Sequence, residues 1–167
     1  YGLTKAAFER MKPLAPDFIV TVDCGISCKE EAAAIRKANV DLVVTDHHEP
    51  AELVPEGIPV ADPKMTDDCP SDVLAGGGVA LKMVQVLGAR FGHPHLWRTL
   101  VDFATLGTVA DLMPMRGENR ALVADGILRM NTSPRPCIAA LIGSSGAGDK
   151  QLSASNLSFT LIPRLNA

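Results

Sequence analysis

The sequence has no run of 18 apolar residues, so it offers no segment that could cross a membrane as a helix. Its N-terminal stretch, YGLTKAAFERMKP, lacks the apolar segment that a signal peptide requires. Only four cysteines occur in the 167 residues, and they follow no paired pattern: Cys24, Cys28, Cys69 and Cys137. A chain of this length can bury a core without disulfides, so we expect reduced thiols and a cytoplasmic location.

A large positive charge is also missing. The formal net charge is −3, which argues against a general electrostatic attraction to nucleic acid. It does not exclude an enzyme that acts on nucleic acid, because bound cations offset the charge of a carboxylate-rich active site. The apolar content of 47% and the charged content of 21% are typical of a globular protein.

The first part of the chain has the pattern of a βαβ unit. Apolar, β-branched runs at 17–23 and 40–45 flank an alanine-rich segment at 27–39, which predicts two parallel strands joined by a helix. Ser27 and Glu30 are spaced as in a capping box at the start of that helix.

The rest of the chain is mostly helical in pattern. The sequence predicts a helix at 3–12, a short strand at 57–62, helices at 79–91, 96–113, 119–130 and 135–143, an exposed loop at 143–150, and a further segment at 153–162. The predicted fold class is therefore α/β: a parallel sheet of Rossmann-like βαβ units followed by a mainly helical segment.

Potential metal ligands follow both strands of the βαβ unit. Asp23 ends the first strand, and Asp46, His47 and His48 end the second. Neighbouring parallel strands lie about 5 Å apart, and their carboxyl ends open onto one crevice. Mixed carboxylate and imidazole ligands suit Mn²⁺, with Mg²⁺ and Zn²⁺ as alternatives. Taken singly, Asp23 would be read as a turn or helix-capping residue and His47 as a structural histidine.

A third carboxylate stands in the apolar stretch ATLGTVADLMP, residues 104–114. Burying Asp111 there would be costly unless the carboxylate is paired or bound to a metal. The alternative is a helix-end residue ahead of Pro114. The glycine run 76–78 precedes a helix and suggests either an anion-binding turn or close backbone packing.

Five motifs, in order, carry a resemblance to a known family. TVDCGIS, VTDHHEP and GTVADLMP resemble motifs II, III and IV of the DHH phosphoesterase superfamily. LAGGGVALKM at 74–83 and LIPRLNA at 161–167 resemble segments of its RecJ family of single-strand-specific exonucleases. The resemblance covers essentially the whole chain. It implies a DHH domain over 1–113, shortened at its N-terminus, and a helical segment over 114–167 that leads to a further domain.

The resemblance also implies a role for each motif residue. Asp23 would be a metal ligand shared by two cations, and His47 and Asp111 would bind the same metal. His48 would contact the scissile phosphate. Asp46 would orient the two histidines.

The resemblance places Arg164 and Asn166 along the path of the nucleic acid, with a plain surface arginine as the alternative for Arg164. Gly77, from the glycine run, is a third candidate substrate-binding residue. The implied activity is phosphodiester hydrolysis with two Mn²⁺ or Mg²⁺ ions, as a 5′→3′ exonuclease on single-stranded DNA in repair and recombination. A single-strand-binding protein and a helicase would be candidate partners. The family's aspartate-rich motif I is not in this sequence. We therefore expect one metal site to lack ligands and the chain alone to be inactive or nearly so.

Two alternatives remain open within the same resemblance. One is a DHH phosphodiesterase that acts on short oligonucleotides, cyclic dinucleotides or pyrophosphate. The other is a non-catalytic protein that keeps the DHH fold as a scaffold. A structural zinc site built from Cys24, Cys28 and the histidine pair is a weaker alternative, because Cys28 is expected in the first helical turn.

Overall fold

Three parallel strands and two helices form the first half of the chain. In the computed structural model, which describes residues 2–146 and 151–166, the strands are β1 (Phe18–Val22), β2 (Asp41–Thr45) and β3 (Val60–Ala61), paired in that order. The helices are α1 (Lys5–Met11) and α2 (Lys29–Lys37). The predicted α/β class with a parallel sheet is confirmed.

The register of the sheet brings the ends of the three strands side by side. Val22 of β1 is the partner of Thr45 in β2, which in turn is the partner of Ala61 in β3. The pairing continues past the strands, because the N–H of Asp23 donates to the carbonyl of Thr45 at 3.0 Å. The N–H of Asp46 likewise donates to the carbonyl of Ala61 at 3.1 Å.

One face of this sheet packs against α1 and α2. The side chains of its core are Leu3, Phe8, Ile19, Ala32, Ile35, Leu42 and Val44. Each fully buried aliphatic or aromatic side chain contributes about 1.5–3 kcal/mol. β1 alternates strictly, with Ile19 and Thr21 buried and with Phe18, Val20 and Val22 exposed on the other face.

The capping box predicted at the start of α2 is wrong. The N-cap residue is Cys28, and no side chain caps the helix. The N–H of Cys28 closes a turn onto the carbonyl of Gly25 at 3.0 Å, so α2 begins one residue later than the box requires. Glu30 consequently stands at the second helical position, and its carboxylate pairs with Lys5 Nζ at 2.8 Å.

The second half of the chain is helical, as predicted. Its elements are α3 (Gly76–Arg90), a 3₁₀ turn (Leu96–Leu100), α4 (Val101–Ala110), α5 (Gly117–Thr132), α6 (Pro136–Ser144), α7 (Ala154–Asn156), a π turn (Leu157–Leu161) and α8 (Ile162–Leu165). The single helix predicted over 96–113 is therefore wrong in extent. The predicted loop over 143–150 is partly helical, because α6 ends at Ser144, and its residues 147–150 lie outside the described residues.

The helices pack around a second core. Its buried members come from α4, α5, α6 and the C-terminal turns: Leu106, Val109, Val123, Met130, Ile138, Leu152, Leu157, Leu161 and Ile162. A side chain at Gly77 would point at α4, where the Cα of Ala104 lies 3.6 Å from the Cβ position. Gly77 thus lets α3 and α4 approach closely.

The chain divides into two compact units, one reaching to Asp72 and the other starting at Val73. The domain boundary predicted between residues 113 and 114 stays a prediction. Within the part of the chain that the structure describes, no helix has the length and apolar character needed to cross a membrane.

Candidate metal centre

Asp23 and His47 meet at the carboxyl ends of β1 and β2. The Nε2 atom of His47 lies 2.8 Å from Oδ1 of Asp23. The imidazole is almost fully buried, with 8% of its side chain exposed, whereas the carboxylate is 35% exposed. Asp23 adopts a left-handed backbone with φ of +64°, a conformation that costs a non-glycine residue about 1–2 kcal/mol. Strain of this kind is typical of functional sites.

Asp46 is a buried carboxylate that accepts hydrogen bonds from the residues around it. It is 1% exposed. Its Oδ2 accepts a hydrogen bond from the N–H of Ile26 at 2.9 Å, and its Oδ1 accepts one from the N–H of His47 at 2.8 Å. Oδ1 also lies 2.7 Å from Nδ1 of His48. Burial by itself raises the pKa of Asp46, but the hydrogen bonds from Ile26, His48 and His47 outweigh it and lower the pKa below its ordinary value.

The two histidines differ in their surroundings. Their ring centroids are 4.5 Å apart and the rings are inclined at 50°. His48 has 55% of its side chain exposed. Its Nδ1 atom is engaged by Oδ1 of Asp46. The buried His47 is instead turned with Nε2 toward Asp23.

These side chains form a cluster that fits a divalent cation. One donor atom from each of Asp23, Asp46, His47 and His48 lies within 4.8 Å of the others. Ligands on opposite sides of an ion with bonds of about 2.1 Å are about 4.2 Å apart, so the spacing suits such an ion. The hydrogen bonds already made by Asp46 leave Asp23 and His47 as the better placed direct ligands. The structure therefore brings together four residues that the sequence singled out.

Asp62 is a further carboxylate at this end of the sheet, and the sequence analysis missed it. It directly follows β3 and is 8% exposed. Burial raises the pKa of its carboxyl, the nearby Asp46 raises it further, and His47 acts in the opposite direction. The signal was present in the sequence, because GIPVAD is a strand pattern that ends in an aspartate in the same way as DFIVTVD.

The remaining predicted site residues lie in the second unit. Asp111 is the C-cap residue of α4 and is exposed, so it is not a buried carboxylate. Arg164 is exposed on α8 and donates to the carbonyl of Thr160. Asn166 is the exposed C-cap residue of α8. Gly77 lies in the first turn of α3, facing α4. Their roles in metal or substrate binding stay predictions.

The cysteines near the cluster have the character of packing residues. Burial raises the pKa of Cys24 and of Cys28, which disfavours the thiolate form that binds zinc. Cys28 donates from Sγ to the carbonyl of Leu3 at 3.3 Å. No cysteine joins a metal-binding group in the described ranges 2–146 and 151–166.

A parallel βαβ sheet with carboxylates and imidazoles at its carboxyl edge defines an α/β domain with a candidate divalent-cation site. Residues 2–108 match the profile of the DHH family, N-terminal domain. The chain belongs to the DHH family.

Proteins similar to the whole chain are single-strand-specific exonucleases. It is 36% identical to the single-stranded-DNA-specific exonuclease RecJ of Salmonella typhimurium, over 100% of this chain and 31% of that protein. It is 35% identical to the enzyme of the same name from Bacillus subtilis, over 100% of this chain and 21% of that protein. The chain thus spans about a third or less of the length of these relatives.

Solved structures show the same similarity. The fold matches a crystal structure of exonuclease RecJ bound to manganese with a TM-score of 0.82 and 34% identity, covering 99% of this chain and 41% of that one. RecJ from Thermus thermophilus in complex with Mn²⁺ matches with a TM-score of 0.79 and 34% identity, covering 95% of this chain and 24% of that one. These findings confirm the resemblance read from the motifs.

Proposed function

We propose that this chain contains part of the catalytic core of a Mn²⁺- or Mg²⁺-dependent exonuclease that hydrolyses single-stranded DNA from the 5′ end, in repair and recombination. The observation that carries the proposal is the Asp23–His47 pair, with Oδ1 and Nε2 2.8 Å apart at the carboxyl edge of the sheet. Similarity to RecJ enzymes along the whole of this chain, which matches 31% and 21% of their length, supports the substrate. The manganese in the similar crystal structures supports the cation.

Each residue of the cluster has a distinct task in this proposal. Asp23 and His47 supply an oxygen and a nitrogen ligand, and the left-handed backbone of Asp23 directs its carboxylate toward His47. The bound cations would lower the pKa of a water molecule and stabilise the charge that develops on the phosphate. Asp111 would add a carboxylate ligand for the metal that His47 binds.

His48 is the residue suited to contact the scissile phosphate. Its side chain is half exposed and Asp46 engages its Nδ1 atom at 2.7 Å. The contact with Asp46 fixes the orientation of the ring, and a histidine N–H is a suitable donor to a phosphate oxygen. Arg164, Asn166 and Gly77 would contact the strand outside the cleavage site. A single-strand-binding protein and a helicase are proposed partners.

The test uses the chain and any longer natural protein that contains it, each incubated with Mn²⁺ and single-stranded DNA labelled at one end. A dinucleotide is supplied in parallel. We expect the longer protein to shorten the strand stepwise from its 5′ end, and His47→Gln to abolish this cleavage. Asp67→Asn is the matched control, since Asp67 is an exposed carboxylate outside the cluster. That the chain alone has little activity stays a prediction.

Three results would contradict the proposal. Cleavage of the dinucleotide without cleavage of the long strand would assign the protein to the small-substrate enzymes of the family. No cleavage of either substrate by the longer protein would favour a non-catalytic scaffold. Equal activity of the His47→Gln variant would show that the cluster is not the reaction centre.

A further inference from the structure

Two cavities lie along one face of α5, in the helical unit of the chain. Their volumes are about 340 Å³ and about 320 Å³, within the range of ligand-binding clefts. Each α5 residue that lines them has another three or four positions away, the spacing that keeps side chains on one face of a helix. These residues are Glu118, Ala121, Leu122 and Asp125 at the first cavity, and Arg129, Thr132 and Ser133 at the second.

The 3₁₀ turn and the start of α4 also contribute to both cavities. Trp97 lines the first cavity, whereas the next residue, Arg98, lines the second. The Cζ atom of Arg98 is 5.5 Å from the centroid of the Trp97 ring. Arg129 of the second cavity donates from Nε to Oδ2 of Asp125, in the first, at 2.8 Å. These two contacts lie between the cavities, which together form a groove that we call the α5 groove.

The first cavity suits a flat apolar group with polar edges. Its lining includes the partly buried Trp97 and four aliphatic side chains, those of Leu74, Leu81, Val101 and Leu122. Aromatic side chains bind nucleobases by stacking, and amides and carboxylates recognise the edges of bases. Gln85 supplies an amide and Asp125 a carboxylate at this cavity. A base therefore fits the first cavity.

The second cavity has the opposite character. Three guanidinium groups and one carboxylate line it, although the net charge of the whole chain is −3. The carboxylate, Asp102, is occupied by Arg135, which donates to its two oxygens at 2.5 and 3.0 Å. Within the part of the chain that the structure describes, Arg98 pairs with no carboxylate, and the terminal nitrogens of Arg129 donate no hydrogen bond.

We propose that the α5 groove binds a nucleotide, with the base against Trp97 and the phosphate at Arg98 and Arg129. Guanidinium groups are well suited to phosphate oxygens, and the hydroxyl of Ser133 adds a donor at the same cavity. The carboxylates of Glu118 and Asp125 would repel a phosphate in the first cavity, so charge sets the direction in which the nucleotide lies.

The proposed nucleotide site goes beyond the function proposed above and uses none of its residues. Asp111, the predicted metal ligand of the helical unit, follows the other end of α4 from Asp102. At 1.5 Å per residue, the two positions are about 14 Å apart along the helix. The nucleotide is either a free mononucleotide or one unit of a single strand, since both offer a base next to a phosphate.

The first test uses the fluorescence of Trp97, the only tryptophan in the chain. The chain is kept in EDTA, so that no metal-dependent hydrolysis occurs, and is titrated with thymidine 5′-monophosphate, thymidine or a short oligothymidylate. We expect saturable quenching by the monophosphate and about tenfold weaker binding of thymidine, because thymidine lacks the charged acceptor. Tighter binding of the oligothymidylate than of the monophosphate would identify a strand as the ligand, and the reverse order a free mononucleotide.

The second test separates the phosphate end from the base end by calorimetry. Arg98→Gln should weaken binding of thymidine monophosphate by about tenfold, the scale of one hydrogen bond to a charged group, and leave binding of thymidine unchanged. Arg120→Gln is the matched control, because Arg120 is exposed on the same helix and lines neither cavity.

Ala121→Leu should block the base end. Ala121 is an exposed residue of α5 that lines the first cavity, and leucine is a good helix former, so the variant should fold while its larger side chain fills the space. We expect binding of thymidine and of its monophosphate to weaken by at least about fivefold, the lower end for loss of base stacking. Ala124→Leu, at an exposed position of α5 outside both cavities, should change neither affinity.

Three results would overturn the nucleotide site. The first is the absence of saturable binding of all three probes. The second is binding that Arg98→Gln and Ala121→Leu both leave unchanged, which would place the nucleotide elsewhere on the chain. The third is self-association that Ala121→Leu abolishes, without binding of any probe, which would assign the groove to a second copy of the chain. Failure of the proposed exonuclease function would leave these measurements unaffected, since they need neither metal nor cleavage.

Discussion

The Nε2 atom of His47 lies 2.8 Å from Oδ1 of Asp23, and the two residues follow adjacent parallel strands. The register of β1 and β2 produces this contact, since Asp23 continues the pairing by donating its N–H to the carbonyl of Thr45. Two ligand types that suit Mn²⁺ are therefore held by backbone hydrogen bonds on a sheet rather than by a long loop. Such a scaffold keeps the ligands close together before a cation binds.

The buried carboxylate of Asp46 should make stability depend on pH. Its pKa is lower in the folded chain than the ordinary value of 3.8, so its contribution is complete above that value and is lost as the pH falls toward the folded pKa. We expect Asp46→Asn to lower the free energy of unfolding by about 2 kcal/mol at pH 7, the scale of hydrogen bonds to a charged group. Urea unfolding at several pH values measures this. The deficit should shrink below about pH 4, whereas stability curves that stay parallel would contradict the prediction.

Because the backbone of Asp23 is left-handed, glycine should give a more stable protein than alanine at this position, the reverse of their order inside a helix. At φ of +64°, glycine is free of the steric cost that alanine pays, so Asp23→Gly should be more stable than Asp23→Ala by about 1 kcal/mol. Ala33 lies exposed within α2, and there Ala33→Gly should cost about 1 kcal/mol. Urea unfolding without metal compares the three variants. A more stable Asp23→Ala would show that the backbone at this position relaxes.

Leu112 should be replaceable by glycine with a gain in stability. It has φ of +54° and is 82% exposed. It follows the C-cap of α4 in a Schellman motif, in which the N–H of Met113 donates to the carbonyl of Thr108 at 3.2 Å. The relief of strain exceeds the extra chain entropy of glycine, so we expect Leu112→Gly to raise the free energy of unfolding by up to about 1 kcal/mol. Leu128→Gly, at an exposed position inside α5, should lower it by about 1 kcal/mol.

Gly126 of α5 should not tolerate alanine, because the added Cβ would overlap the side chain of the buried Thr105. The Thr105 Cβ lies 2.6 Å from the Cβ position at Gly126, and its hydroxyl group lies closer still. We expect Gly126→Ala to lower the free energy of unfolding by about 1–3 kcal/mol, the range for overpacked cores. Gly143→Ala is the matched control, since no atom lies within 4 Å of its Cβ position in α6.

The control substitution Gly143→Ala in α6 should be neutral or stabilising by up to about 1 kcal/mol, because alanine is a better helix former than glycine. Both variants are compared by denaturant unfolding. Adding Thr105→Ala to Gly126→Ala should recover part of the loss if the clash with Thr105 is its cause. A Gly126→Ala chain as stable as the wild type would mean that α4 and α5 can move apart with little loss of free energy of unfolding.

Much of the cluster could be predicted because its signals are local. Asp23 and the run from Asp46 to His48 directly follow apolar strands, and parallel strands joined by a helix must end at the same edge. Asp111 lies at the end of α4, as the alternative to a metal-ligand role predicts, and its exposure depends on where α4 stops; its role as a ligand stays a prediction. The start of α2 was predicted one residue early because the turn from Gly25 to Cys28 takes precedence over the capping-box pattern.

The amino-acid sequence by itself determined the βαβ order, the position of the ligands at strand ends and the motifs shared with the DHH family, because periodicity and motif spacing are properties of neighbouring residues. Only the tertiary structure decided which carboxylate lies against which histidine. Asp46 Oδ1 lies 2.7 Å from Nδ1 of His48, whereas Nε2 of His47 faces Oδ1 of Asp23 on the neighbouring strand end. Hydrogen-bond partners across strands follow from sheet register and from burial, and a pattern along one segment of chain specifies neither.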